Sequence, residues 1–201
     1  MSLNESEAKR PKMDVLADKL SEFIGPFAEK LQSMTFLMAV SEAMQALLPV
    51  TMVGAFACLF AFLGFQPWQD FLQSHMNLYM FFMTMQSCTL TIYSLYVIVF
   101  LPYVYAKKLE INDPILAVPT TVAAFILVTP VQIYSSIPMT WLGHAGLFSA
   151  MIITFIVVRA MKFFENRLKI TLPPGVPHFV ARSFEVLIPT LIILTVLALT
   201  I

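Results

Sequence analysis

Few side chains in this sequence are of a reactive type and also lie in an apolar setting that would sharpen their chemistry. Glu42 falls inside the run from Phe36 to Phe65, and His144 near the start of the run from Trp141 to Val158. Glu185 is the only charge between Phe184 and Ile201. An ionisable group in a membrane is expensive to keep charged, so each is a candidate for proton or solute handling. Glu42 and His144 lie towards the ends of their runs, and no second ionisable group neighbours His144. A solvated carboxylate and an interfacial imidazole are therefore expected, and the role of Glu185 stays open. His75 stands alone in the polar stretch Gln66 to Asn77, with no partner at metal-ligand spacing. Cys58 and Cys88 lie in apolar runs and read as small buried hydrophobes.

No larger constellation adds to these. The sequence has no HExxH, no GxSxG, no glycine loop to cradle phosphate and no paired carboxylates at a plausible spacing. No catalytic, substrate-binding or metal-ligating residue is assigned on this basis, and no cofactor is implied. The stretch Leu78 to Tyr105 has a polar middle: Thr84, Gln86, Ser87, Thr89, Thr91 and Ser94. Hydroxyls and small polar groups join helices in membranes, so packing is expected here in preference to a solute path.

The elements that carry these residues follow from composition. With 59% hydrophobic and 12% charged residues, the chain lies far from the soluble balance of about a quarter charged. It reads as an all-α membrane protein. Spans are predicted near 36–65, 78–105, 114–131, 141–158 and 184–201, each compared with the ~20 apolar residues that cross a bilayer core. The third is short and punctuated by Pro114, Pro119 and Pro130. Residues 1–33 form a separate segment ahead of the membrane part, 34–201. Between Asp14 and Leu31, Leu16, Leu20, Phe23, Ile24, Phe27 and Leu31 recur at helical spacing, opposite Asp18, Lys19, Glu22, Glu29 and Lys30. That pattern predicts an amphipathic helix interrupted at Gly25 and Pro26. The opening MSLNESEAKRPK is too polar for a cleavable signal, so the first apolar run is expected to remain in the mature protein. No basic stripe interleaves with aromatics, which argues against nucleic acid.

Cation placement orients the spans. All 12 Lys and Arg residues fall in Lys9 to Lys30, Lys107 with Lys108, and Arg159 to Arg182. The stretches Gln66 to Asn77 and Gln132 to Thr140 have none. Because cytoplasmic loops are enriched in cations, the amino terminus is predicted inside and the carboxyl end outside.

The connector from Leu172 to Pro189, LPPGVPHFVARSFEVLIP, joins a cationic segment to the last apolar run. Pro173, Pro174 and Pro177 withhold backbone donors and end any helix arriving from Asn166, and a new helix is expected after Pro177. GVPHFVARSFEVLIP resembles a segment of the membrane IIC components of the phosphoenolpyruvate-dependent sugar phosphotransferase system, in the lactose, cellobiose and diacetylchitobiose branch. His178 stands where that pattern has a second proline, and Thr190 where it has glycine. WLGHAGLF resembles the family's LG-x-x-GLF phrase, and AVSEAMQALLPVTMVGAF its first membrane helix, with Glu42 in place of a basic residue.

The resemblance implies a multi-pass permease of the bacterial plasma membrane. Ten spans in a homodimer would take a sugar, to which phosphate passes from separate IIB and IIA components. The first five spans make most of the dimer contact and the later half holds the sugar, so no sugar-binding residue carries over to this chain. The expected function is a partial membrane component that translocates a β-linked disaccharide only with the later half. The alternatives are a transport-inactive scaffold that assembles with intact permeases and, more remotely, a small-solute channel.

Overall fold

The computed structural model describes residues 34–129, 139–167 and 178–200, with backbone alone at 166 and 178–185. The predicted amphipathic helix and the connector's proline run lie outside the described residues. The chain divides into a unit ending at Met38, described only from Met34, and a unit from Ala39 onwards.

Among the described residues every regular element is helical. In order they are α1 (Thr35–Ala61), α2 (Gln66–Ser74), α3 (Met76–Gln86), a π-helical turn (Ser87–Thr91) and α4 (Tyr93–Lys108). After a 3-10 turn (Pro114–Leu116) come α5 (Ala117–Val128) and α6 (Met139–Leu142). Another 3-10 turn (His144–Gly146) leads into α7 (Leu147–Arg167) and then α8 (His178–Leu199).

Among the described residues, three stretches are long and apolar enough to cross a membrane: Thr35–Ala61, Met76–Lys108 and His144–Glu165. Pro114–Val128 and Val186–Leu199 are shorter apolar helices. At 1.5 Å per residue the first two extend ~40 and ~50 Å, against a hydrocarbon core of ~30 Å. Pro114–Val128 reaches only ~22 Å.

Two boundaries differ from expectation. Gln66 to Asn77, expected as a loop, contains α2. Its Pro67 occupies the first turn, where no helical N–H is lost, and Leu72 is buried while its neighbours stay exposed. The fourth helix does not stop near Val158 but runs to Arg167, so Arg159, Lys162 and Arg167 are helical residues. Their alkyl stems lie along the helix while their charged ends find partners, which lets cations extend an otherwise apolar helix. The last helix is described over His178–Leu199.

The core lies where α4, α5 and α7 pack together, with α8 against α5 and α7. Val97, Ile98, Leu101 and Tyr105 of α4 meet Ala117, Thr121, Ala124 and Phe125 of α5 and Ala150, Thr154 and Val157 of α7, all fully or nearly fully buried. Small residues at these contacts let backbones approach, which is how helices associate where lipid removes the hydrophobic drive. Thr121 and Thr154 donate their hydroxyls to the carbonyls of Ala117 and Ala150, each at 2.7 Å, and so bury no unmet donor. In α1 the buried positions Ala39, Ala43, Leu47, Gly54, Ala57 and Ala61 form one stripe of mostly small residues. The opposite face exposes Leu48, Met52, Val53, Phe56 and Leu59. Such a face suits lipid and would be an aggregation liability in water.

Candidate functional site

Polar residues are concentrated at two joints, one at the end of the bundle that carries Lys108 and one in the middle of the second long span.

At the first joint, Glu42 of α1 and Lys108 of α4 form an ion pair at 2.7 Å. Glu42 is exposed on the bundle, and its partner is a residue 66 positions away that sequence alone could not nominate. α4 ends in a turn where Glu110 has φ 53°. Ile111 N–H donates to Ala106 O and Glu110 N–H to Lys107 O, both at 3.1 Å, and Ile111 is buried. This is a Schellman ending with glutamate in the left-handed position that glycine usually fills. α7 grips the turn: Lys162 Nζ donates to Glu110 O at 2.6 Å, and Glu165 accepts from Asn112 N–H at 2.7 Å. Lys162 and Glu165 also pair with each other at 3.2 Å. One turn earlier, Arg159 Nε donates to the buried Tyr105 hydroxyl at 3.0 Å and lies over the Phe155 ring.

The second joint is built on glycines and hydroxyls. A Cβ on Gly54 would collide with the side chains of Thr89 and Leu90, so α1 meets the π-helical turn at nearly backbone distance. A Cβ on Gly146 would collide with Trp141 O, and one on Gly143 would come within 2.5 Å of Thr91 O. Ser94 Oγ donates to Trp141 O at 3.1 Å. The LGHAG phrase is therefore a turn folded back on itself and pressed against the second span. Within the polar band expected as helix glue, Ser94 bonds across to Trp141 O, whereas Thr84 and Thr89 spend their hydroxyls on carbonyls of their own helix and Thr89 meets α1 by packing at Gly54. Gln86 departs from this pattern, because its Oε1 is buried without a hydrogen-bond partner.

The remaining candidates are dispersed. His144 is exposed in its 3-10 turn. His75 is exposed at the α2–α3 corner and stacks on Phe71, with ring centroids 4.3 Å apart. Cys58 is half-buried and Cys88 exposed, so the expectation that both are buried fails for Cys88. Cys88 lies in the π-helical turn, none of whose residues is buried. The side chain of Glu185 lies outside the described residues. Among the described residues no group of three or more His, Cys, Asp or Glu could hold a metal. The joints therefore pin helices, satisfy helix ends and anchor charge. A groove of about 570 Å3 also opens between α5 and α8, lined by Leu116, Pro119, Thr120, Leu187, Thr190 and Leu194 among others. Thr120 and Thr190 share a hydrogen bond of 2.9 Å across it.

A helical bundle with lipid-suited faces and polar joints between its long apolar helices is a multi-pass membrane component. Residues 36–201 match the family described as Phosphotransferase system, EIIC, and the chain belongs to that family. It is 29% identical over 202 residues to the PTS system cellobiose-specific EIIC component of Geobacillus stearothermophilus, covering 92% of this chain and 44% of that protein. It is 29% identical over 194 residues to the oligo-beta-mannoside-specific EIIC component of Bacillus subtilis strain 168, covering 89% and 42%. The fold matches the crystal structure of the transporter ChbC, the IIC component of the N,N'-diacetylchitobiose-specific phosphotransferase system. That match has TM-score 0.78 and 24% identity, and covers 90% of this chain and 45% of ChbC. The chain thus spans less than half the length of these relatives.

Proposed function

We propose that this chain supplies the amino-terminal, dimer-forming part of a phosphotransferase sugar permease. Translocation of a β-linked disaccharide such as cellobiose, diacetylchitobiose or lactose then requires the later half. The observation that carries this reading is the match over residues 36–201 to a family whose members named above are about twice as long. The two polar joints agree with it, since they hold helices together and leave sugar recognition to residues elsewhere. In this reading the protein is a homodimer in a bacterial plasma membrane, with the Lys108 end of the bundle and the amino terminus on the cytoplasmic side, where IIB and IIA would work. The cation distribution supports that orientation.

Co-expression with the later half of a related permease tests the reading. Phosphorylated disaccharide should accumulate in cells holding both parts, and not in cells holding either alone. Uptake by this chain alone would refute it. A transport-inactive scaffold would instead co-purify with an intact permease without restoring uptake.

A further inference from the structure

The second long span is unevenly held. α4 buries Ser94, Val97, Ile98, Leu101, Pro102, Val104, Tyr105 and Ala106, whereas neither α3 nor the π-helical turn buries any residue. α3 and this turn also lie between two residues whose backbone is not helical: His75 at φ −121°, ψ 63° and Ile92 at φ −109°, ψ 30°. A π turn holds one residue more than the α turn it replaces, and such turns recur at functional sites. The carbonyls around it are met by side chains, since Thr89 Oγ1 donates to Met85 O at 2.7 Å and the Tyr96 hydroxyl donates to Cys88 O at 2.7 Å. At its first edge, Gln86 keeps its Oε1 buried with no partner.

We infer that Ser87–Thr91 is a register hinge that lets α3 turn by one residue position against a fixed α4. Relaxing the π turn to α geometry passes the extra residue into α3, rotating it by ~100° and shifting it by ~1.5 Å. Gln86 would move to another face, relieving its unmet oxygen, so the described register is the one that its orphan group disfavours. Rotation must break the stacking of Phe60 on Phe82, whose centroids are 5.7 Å apart, and slide Thr89 past Gly54. Those contacts hold the described register, and His75 and Ile92 absorb the swivel. The hinge belongs to this chain's own helices and stands apart from any reading of which sugar is carried.

The test uses the full chain in lipid bilayers, with Cys58→Ser and Cys88→Ser as background and spin labels at Met80 and Tyr103. Both label sites are exposed, on α3 and α4 respectively. Pulsed electron-spin distance measurement should give two populations. Gln86→Leu removes the orphan oxygen and should shift weight at least threefold towards one of them. Deleting residue 88 removes the extra residue and should leave a single population. If the deletion does not fold, the Gln86→Leu result decides. A single distance in the background protein, or two populations that Gln86→Leu leaves unmoved, would overturn the hinge.

Discussion

Lys162 donates to the carbonyl of Glu110 at 2.6 Å, and Glu110 is the residue at which the backbone turns left-handed to end α4. A carbonyl in the turn just past a helix C-terminus also needs a partner, and here the neighbouring helix provides one. Glutamate in that conformation carries a steric cost that glycine avoids. Glu110→Gly is therefore expected to stabilise the chain by about 1 kcal/mol. Lys162→Met, which removes the donor, should destabilise by about 1–2 kcal/mol. Unfolding midpoints in detergent check both, and a loss of stability in Glu110→Gly would contradict the assignment of this turn.

Gly146→Ala places a Cβ against Trp141 O, a backbone atom that cannot swing aside. It should cost about 2–3 kcal/mol or more, within the range of overpacking. Gly64 is the control, since a Cβ there has nothing within 4 Å. Gly64→Ala should change the midpoint little, and equal effects at the two positions would show that the LGHAG turn is not packed as described.

The Glu42–Lys108 pair is partly exposed, with side chains 55% and 27% accessible. A double-mutant cycle with Glu42→Gln and Lys108→Met should return a coupling of about 0.2–1 kcal/mol that shrinks with added salt. A much larger, salt-insensitive coupling would indicate that Glu42 lies in lipid.

Orientation is open to direct labelling. A cysteine at Gln73, in a background with Cys58→Ser and Cys88→Ser, should react with an impermeant maleimide added outside intact cells. Reaction only after permeabilisation would reverse the proposed topology. Gln73 suits the purpose because it is exposed near the end of α2.

Much of the fold was legible because bilayer thickness imposes a length on apolar runs that composition displays directly. The expectation of a new helix after Pro177 rests on proline's missing N–H and its clash with the preceding turn, and a helix is described over His178–Leu199. The α2 helix was hidden because Pro67, Trp68 and Asp70 read as loop residues. Only its packing shows that Pro67 opens a helix and that Trp68 reaches back to Phe60. The polar joints were half legible. Ser94 was identifiable as glue, but its partner Trp141 comes from elsewhere in the chain, and Thr89 lies in a π-helical turn that no periodicity announces and bonds back to Met85 O. Glycine spacing in LGHAG signalled a motif without saying what it touched.

Trp68 Nε1 donates to Phe60 O at 2.8 Å, and Gln69 Nε2 donates to Ala61 O at 3.3 Å and Leu63 O at 2.9 Å. The last two carbonyls of α1, those of Phe60 and Ala61, are thus answered by side chains of the following helix. Within hydrocarbon, an unanswered carbonyl is what keeps a helix end at the surface. With those two met internally, the end of α1 asks less of water than a bare helix end would, so a helix longer than the membrane is wide can be accommodated by depth as well as by tilt.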